Sequence, residues 1–562
     1  MSNSQTIANI AEICSRHGVV NLVLSPGSRH APLALAFSRH RQITTRIISD
    51  ERSAGYMALG MAQSINQPVI LLSTSGTAAL NYGPAIAEAY YQKVPLIVFT
   101  ADRPPEWIDQ NDGQSIRQRN VFQNHVKNSF ELPVSFEHPD AIWQVYNIIN
   151  QSIVTSITGQ PGPVHINAPF REPLYPVGNH TLEYSKSVPL VDTGETHKSL
   201  GQDLWKQLAT QWARAKKILI AGGQNPFSEG LTSALKNLQD HARVPVLGDA
   251  TSNLHRMNGV MMHAEIILGQ PDNVLQTLQP DLLLTFGRGF ISKNLKTFLR
   301  KYSPSRHWHV QAAGYPPDTF RSLTRVISMD PAEFLTELCD HIPAQENSSW
   351  YQLWEGNENF ARERIVKFLE APGFHEIQVV DQMMKAANGV HLHLANSSPV
   401  RWVDLLGPVP EIIEVSSNRG TSGIDGCSST AVGHSWMNDR QNMLITGDMA
   451  FFYDRNAFWH QYKLPNLKIV ILNNHGGGIF RLVDGAREQP ELEELFVTRQ
   501  ALCAENTARD FGMKYLHCST KEDLTTKLHE LFRPSDHAVL LEIEFSNNMD
   551  EIYQELKASL KR

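Results

Sequence analysis

Asn442-Met443-Leu444-Ile445-Thr446-Gly447-Asp448-Met449 and Leu467-Lys468-Ile469-Val470-Ile471-Leu472-Asn473-Asn474-His475-Gly476-Gly477-Gly478 share one pattern, an apolar run that stops at a polar, Gly-bearing cluster. Short apolar runs bounded by turn residues read as strands of a parallel sheet buried on both faces. The clusters then stand beyond the carboxyl ends of strands, where open α/β sheets bind ligands. Residues Met449 to Tyr462 separate the two runs, a length that fits one crossover helix. The strands are therefore predicted to be neighbours, with both clusters facing one crevice. Asp448, Asn474 and the Gly-rich backbone are hard oxygen donors, and they suit a hard octahedral cation such as Mg²⁺ that keeps phosphate oxygens and water in its shell. Glycines let the backbone approach a diphosphate closely. Singly, each cluster is ordinary turn chemistry. Together, at this separation and after two apolar runs, they point to a metal and diphosphate site.

A chain of 562 residues has room for roughly three domains of ordinary size. With 41% hydrophobic and 19% charged residues it reads as a globular protein able to bury large cores. A net charge of −7 gives nucleic-acid binding no support. Its five cysteines are scattered without C-x-x-C spacing, so neither a disulfide framework nor a zinc site is expected, and a cytoplasmic setting fits. No basic segment followed by an apolar one opens the sequence, and no run of about 18 apolar residues occurs, so neither export nor a membrane span is expected.

The first third alternates strand and helix. Strands are expected at Val19 to Leu24, Ile43 to Ser49, Val69 to Thr74 and Val94 to Thr100, and helices at Ala31 to His40, Arg52 to Ser64 and Thr77 to Gln92. The pattern predicts a doubly wound parallel sheet. Its strand-end loops carry Ser25-Pro26-Gly27-Ser28-Arg29, Asp50-Glu51-Arg52, Ser73-Thr74-Ser75-Gly76-Thr77 and Thr100-Ala101-Asp102-Arg103-Pro104-Pro105. A Pro-containing segment, Gln160 to Asn167, leads to Pro173 and Pro176, where a domain boundary is expected. After a polar linker from Ser185 to Gly201, a second α/β unit has strands at Lys217 to Ile220, Val244 to Leu247, Asp281 to Phe286 and Trp308 to Gln311. No G-x-G-x-x-G follows any of them and no P-loop occurs, so this unit is expected to hold no nucleotide. Gln345 to Phe374 suits a connecting helix. The third unit adds strands at Val390 to Leu394, Ile412 to Val415 and Ala538 to Ile543 to the two already quoted, and it reads as the first architecture used again. The expected domains are 1–184, 200–345 and 375–562, each a doubly wound parallel sheet.

Lesser signals carry less. The run His475-Gly476-Gly477-Gly478 is like a lipase oxyanion loop, but no G-x-S-x-G elbow accompanies it. His391/His393 and His307/His309 each share one face of a strand without a suitably spaced third ligand, so they read as structural. Glu51 at a helix start can serve merely to complement the helix dipole.

The Asp448 and Asn474 clusters resemble the thiamine-diphosphate signature, with Met449 where most of that superfamily has Gly. Four further runs narrow the resemblance: Leu24 to Arg29, Asp50 to Tyr56, Thr74 to Ala78 and Ala101 to Glu106. With Asn418-Arg419-Gly420-Thr421-Ser422-Gly423-Ile424-Asp425-Gly426, they are similar to the MenD family, the 2-succinyl-5-enolpyruvyl-6-hydroxy-3-cyclohexene-1-carboxylate synthases of menaquinone biosynthesis. The resemblance implies a pyrimidine-binding domain, a middle domain without cofactor and a diphosphate-binding domain. It implies that Asp448, the Asn474 side chain and the Gly476 carbonyl hold Mg²⁺ or Mn²⁺, with Met449, Ala450 and Gly477 among the cofactor contacts. Ile424 would force the bent shape of the cofactor and Gly423 would offer it a carbonyl. Glu51 would hydrogen-bond the pyrimidine nitrogen and favour the imino tautomer, whose nitrogen takes the C2 proton of the thiazolium.

The reaction so implied is decarboxylation of 2-oxoglutarate and conjugate addition of the succinyl-semialdehyde unit to isochorismate. Both substrates are dicarboxylates, which suits Arg29, Arg103, Arg401 and Arg419 in or near strand-end loops, because guanidinium forks bind carboxylates bidentately. Ser28, Gln114, Lys293 and Ser397 are further substrate candidates, and Ile479 and Phe480 would wall the acceptor. Asn294 after Lys293 and Arg481 after Phe480 depart from the family pattern. The resemblance also implies a homodimer, or a dimer of dimers, with sites shared between two chains. Two rivals are weighed: another thiamine-dependent enzyme of the acetohydroxyacid synthase or benzoylformate decarboxylase type, and a catalytically silent scaffold. The first would need fewer carboxylate forks, and retention of Glu51, Asp448 and Asn474 argues against the second.

Overall fold

The apolar runs become inner strands. Val69–Ser73, Leu96–Asp102, Leu282–Phe286 and Leu467–Asn473 are buried at every position, as strands covered by helices on both faces must be. The computed structural model describes residues 3–175, 182–194, 198–344 and 348–545. These fold into three six-stranded sheets in which every pairing is parallel, the three-unit α/β architecture expected of the sequence. Pro176, Gln345 and the end of the third unit after Phe545 lie outside the described residues.

From edge to edge the first sheet runs Thr44–Ile47, Asn21–Leu24, Val69–Ser73, Leu96–Asp102, Val164–Pro169, Ser129–Glu131. The third runs Glu414–Ser417, His391–Leu394, Asn442–Gly447, Leu467–Asn473, Val539–Glu544, Lys514–Cys518. Counted along each unit, both have the order 2-1-3-4-6-5. The middle sheet has the order 6-5-4-1-2-3, starting at Arg325–Ile327 and ending at Val260–Met261. A helix at Ser349–Leu369 leads from the middle unit to the third.

The Pro-containing segment before Pro173 holds a buried strand, Val164–Pro169. Two expectations are corrected. The helix expected over Thr77 to Gln92 is two, Thr77–Asn81 and Gly83–Gln92; Pro84 has no N–H to bond back into the preceding turn. The single crossover helix expected over Met449 to Tyr462 is a six-residue helix, Asp448–Tyr453, followed by a 3₁₀ turn at Arg455–Phe458. Asp454 breaks it: its buried carboxylate accepts from the backbone N and Oγ of Ser429, each at 2.7 Å.

The histidine pairs tie strands together. His307 Nε2 and His309 Nδ1 meet Thr285 Oγ1 at 2.8 and 2.9 Å. His393 and His434 share Asn442 Oδ1 at 3.0 and 3.1 Å. These four histidines are buried and hydrogen-bonded, the usual state of interior polar groups, and His391 lies 3.2 Å from the Glu414 carboxylate.

The first and third units pack directly on each other within the chain. The helix Glu51–Ile65 crosses Cys427–Ser435, and their cores merge through Met57, Leu59, Ala431 and Val432. Two glycines permit the close approach: a Cβ on Gly60 would stand 2.0 Å from the Thr430 carbonyl oxygen, and one on Gly433 2.0 Å from that of Met57. Backbone atoms cannot move aside cheaply, so Gly60→Ala is expected to destabilise by about 1–3 kcal/mol or more. Gly356→Ala, at an exposed helix position with open space around it, is the control and is expected to stabilise by about 0.4–1 kcal/mol. Thermal unfolding of the two variants beside wild type checks both signs.

Candidate functional site

Strands Asn442–Gly447 and Leu467–Asn473 are paired in register, with Gly447 opposite Leu472. The loops that leave them therefore emerge side by side. Asp448 is 1% exposed and opens a helix. Its Oδ2 accepts from Gln500 Nε2 at 2.6 Å, and the backbone of Gly476 also bonds to the carboxylate. Burial pushes this carboxyl up to about 6, against hydrogen bonds that lower it. His475 and Gly476 adopt φ of 60° and 153°, folding the chain after Asn474 back toward Asp448. Gly477 N closes that turn on Val497 O. Met449 and Ala450 follow in the Asp448 helix, where Ala450 packs with Ala395, Cys427 and Ile424.

Asn474 is held from behind. Its Nδ2 donates to Glu376 Oε1 at 2.6 Å, while its buried Oδ1 has no hydrogen-bond partner. Glu376 is fully buried at the first position of helix Glu376–Ala386, and its Oε2 accepts from Trp402 Nε1 at 2.6 Å. Burial pushes Glu376 up to about 7; the Trp402 and Asn474 bonds pull it down, and the Asp448 charge pushes it further up. Among the described residues no ion pair reaches Asp448 or Glu376, and no cluster of three His, Cys, Asp or Glu side chains is placed to hold a metal. A buried carboxylate without a cationic side chain, beside an orphaned carboxamide oxygen, fits a hard divalent cation.

Next to this cluster, Asn396 at the end of strand His391–Leu394 gathers two predicted residues. Its Oδ1 accepts from Arg419 Nη1 at 2.9 Å, and its Nδ2 donates to the Gly423 carbonyl at 2.7 Å. Ser397 takes φ 77° and its carbonyl accepts from Arg401 Nη1 at 2.6 Å, one turn into helix Ser398–Leu406. Lys293 is exposed at the start of its helix. Its loop is fixed by Asp249, whose Oδ2 accepts from Ile291 N at 2.8 Å. Asp404 of the Arg401 helix accepts from Ala250 N at 3.0 Å, tying the two loops together.

The departures noted in the sequence have structural employment. Asn294 donates to the Glu265 carbonyl at 2.7 Å. Arg481 grips Glu493 with two bonds of 2.9 and 2.8 Å, and Arg499 also pairs with Glu493, whose carboxyl is held down to about 2. This ionic clasp fixes the turn that carries Ile479 and Phe480, the latter 38% exposed.

The first sheet presents a separate cavity of about 570 Å³, lined by Pro26, Gly27, Glu51, the 74–78 loop, Asn81 and the 114–116 loop. Gly76 has φ 86° and ψ −144°, a conformation for which glycine is required. Gln114, with φ 55°, lies in the cavity wall, and Ser28 is exposed beside it. Glu51 Oε2 accepts from Asn81 Nδ2 at 3.4 Å. The cap of its helix is Asp50, whose Oδ1 accepts from Ser53 N at 3.1 Å. Arg29 is buried and donates to Phe170 O at 3.1 Å, with Glu172 at 3.4 Å. Arg103 donates to Gly113 O at 2.7 Å and pairs with Asp112 at 2.9 Å, bracing the loop that carries Gln114.

Among the described residues, none of the third unit lines the Glu51 cavity. Arg52 donates to the Tyr453 carbonyl at 2.7 Å, so the start of the Glu51 helix abuts the far end of the helix that Asp448 opens. Sequence reasoning missed Glu376, Gln500, Asn396 and Glu88; Glu88 is fully buried and accepts from Gly420 N and Thr421 N at 2.8 and 2.6 Å, anchoring the Arg419 loop to the first unit.

Comparison with known proteins spans nearly the whole chain. Family models match residues 5–131 ("Thiamine pyrophosphate enzyme, N-terminal TPP binding domain"), 184–392 ("Middle domain of thiamine pyrophosphate") and 415–543 ("Thiamine pyrophosphate enzyme, C-terminal TPP binding domain"). A 2-succinyl-5-enolpyruvyl-6-hydroxy-3-cyclohexene-1-carboxylate synthase of Cytophaga hutchinsonii is 42% identical over 562 residues, 99% of each chain. Synthases of the same name from Flavobacterium johnsoniae and Porphyromonas gingivalis are 37% and 34% identical, over 95% and 97% of this chain and 95% of each relative.

Proposed function

This chain belongs to the MenD family of thiamine-diphosphate-dependent synthases, and from that premise we propose its substrates, its metal and the assembly of its active site. It is a carboligase of menaquinone biosynthesis that decarboxylates 2-oxoglutarate and adds the succinyl unit to isochorismate. Thiamine diphosphate, when bound, supplies the carbanion and electron-sink chemistry that the side chains here lack.

The residues then divide the work. Asp448, the Asn474 carboxamide and the Gly476 carbonyl hold Mg²⁺, with Mn²⁺ able to replace it. Met449, Ala450 and Gly477 border the diphosphate, and Gly423 and Ile424 border the pyrimidine. Glu51 holds a proton at the pyrimidine ring nitrogen. Arg419, Arg401, Ser397 and Lys293 face the substrates from the third and middle units, and Ser28, Arg29, Arg103 and Gln114 from the first. Ile479 and Phe480 exclude water on the acceptor side. The observation that carries this reading is the convergence of hard oxygen donors at Asp448 and Asn474 with the guanidinium groups gathered around Asn396 and Ser397. Among the described residues no helix is long and apolar enough to cross a membrane. All five cysteines are free, which fits a reducing, cytoplasmic setting.

The direct test is CO₂ release with thiamine diphosphate and Mg²⁺. 2-Oxoglutarate is expected to be turned over, with product formed only when isochorismate is present, and pyruvate and benzoylformate are expected to give background. Equal turnover of pyruvate would overturn the substrate assignment.

The separation of Glu51 from Asp448 within one chain supports a site shared across a two-fold dimer, whether the final assembly is a dimer or a pair of dimers. Mixing Glu51→Gln chains with Asp448→Ala chains under subunit exchange is then expected to revive roughly a quarter of all sites at random pairing, because each mixed dimer holds one native pair. Activity at the sum of the inactive parents, with mixed dimers verified by mass spectrometry, would show that each chain carries its own site.

A further inference from the structure

The carboxamide of an asparagine is nearly symmetric in shape but not in charge. Turned by half a revolution, it presents N–H groups where it had presented an oxygen, and a cation would be repelled rather than bound. A metal site that uses Asn474 therefore needs something to fix the amide's direction. Glu376 meets that need. It is the first residue of helix Glu376–Ala386, is 0% exposed, and its two carboxylate oxygens each have one donor: Asn474 Nδ2 at 2.6 Å and Trp402 Nε1 at 2.6 Å. Both Glu376 oxygens act as acceptors here, and of the two ends of the Asn474 carboxamide only the nitrogen can donate, so it is the nitrogen that faces Glu376. The Asn474 oxygen is then left buried without a partner, on the loop that folds back toward Asp448.

We infer that Glu376 is a positioning residue for the cation, locking the Asn474 carboxamide with its oxygen toward the metal, while Trp402 locks Glu376. The inference rests on the proposed assignment of Asp448, Asn474 and Gly476 as metal ligands. Outer partners of this kind orient the ligands and tune the metal. Glu376 touches neither substrate nor cofactor in this role, and nothing in its neighbourhood of sequence marks it.

An exchange of carboxylate and carboxamide between the two positions tests it. In E376Q the glutamine must satisfy two donors with one acceptor and one N–H₂ group. The oxygen settles on Trp402 or on Asn474; in the first case Asn474 is driven to flip, and in the second two donors collide. In the double variant E376Q/N474D, the new amide nitrogen donates to the new carboxylate, the new amide oxygen accepts from Trp402, and a carboxylate oxygen faces the metal. Mg²⁺ is titrated by calorimetry at saturating thiamine diphosphate, and Mn²⁺ binding is followed by electron paramagnetic resonance. E376Q is expected to bind Mg²⁺ about tenfold to a hundredfold more weakly than wild type, the range seen for outer-shell partners, and E376Q/N474D to recover to within about threefold. A purely structural Glu376 would give two losses that add; rescue is the non-additive result that positioning requires. Wild-type affinity in E376Q, or a double variant as weak as E376Q, overturns the inference. Should E376Q alone fail to fold, the double variant decides by itself through its Mg²⁺ affinity against wild type. If wild type itself binds thiamine diphosphate equally with and without Mg²⁺, the metal assignment fails instead, and the two failures are told apart.

Discussion

Glu51→Gln is expected to leave thiamine diphosphate bound with nearly wild-type affinity while slowing exchange of its C2 proton for deuterium by orders of magnitude. The substitution keeps the size of the side chain and an oxygen that can accept from Asn81. It does not disturb the start of helix Glu51–Ile65, because the cap belongs to Asp50, which accepts from Ser53 N and also takes a hydrogen bond from Asn456 Nδ2 at 2.7 Å. The lost charge at the helix start is worth only about 0.3–1 kcal/mol of dipole interaction. What the glutamine cannot do is hold and release a proton at the pyrimidine ring nitrogen, and a general acid acts only through a proton it can transfer. Calorimetry measures the binding, and quenched-flow NMR of the cofactor measures the exchange. Fast exchange in the variant would return Glu51 to the part of a surface carboxylate near a helix start.

That contrast shows why the first-unit site is legible in sequence and the assembly is not. Glu51, Gly76 and Gln114 lie in strand-end loops, and the cavity they line follows from the doubly wound order once the strands are placed. The crossing of Gly60 and Gly433 is invisible, since either glycine reads as a weak point in an ordinary helix. Short edge strands escape for a related reason. Val260–Met261 has two residues, and Lys514–Cys518 mixes exposed and buried positions, so neither makes the apolar run that marks an inner strand.

The proposed metal site divides along the same line. Asp448 and Asn474 each end an apolar strand and so announce themselves. Their holders do not: Glu376 lies 98 residues from Asn474 and Gln500 lies 52 from Asp448. Glu376 reads as a polar residue opening an amphipathic helix, and only tertiary packing places its carboxylate against a carboxamide from another element. The arginines fall between these cases. Arg419 is found by its motif, but its partner Asn396 is an unmarked residue after His391–Leu394. Arg29 is likewise found by its motif, yet it directs its guanidinium to the Phe170 carbonyl and Glu172, in a stretch just before Pro173 that no motif marks.

Asp448→Ala is expected to abolish Mg²⁺-dependent retention of thiamine diphosphate while the protein stays folded. Asp448 is the one charged group among the proposed ligands, and the carboxamide of Asn474 and a carbonyl cannot by themselves offset the desolvation of a small divalent cation. The loss should exceed a hundredfold or so, beyond the tenfold to hundredfold typical of a damaged outer-shell partner. The fold should survive for a reason visible at the site. Burial disfavours the charged form of this carboxyl in the cofactor-free protein, raising it to about 6, so its removal takes out an unfavourable buried charge. Gln500, which loses its 2.6 Å acceptor, still lies 3.4 Å from Asn473 Oδ1 and keeps a polar neighbour. Calorimetric titration of thiamine diphosphate with and without Mg²⁺, beside thermal unfolding of the cofactor-free protein, separates the two quantities. Wild-type cofactor binding in the variant would remove Asp448 from the metal site, and with it the meaning given to the pair of strands that ends at Asp448 and Asn474.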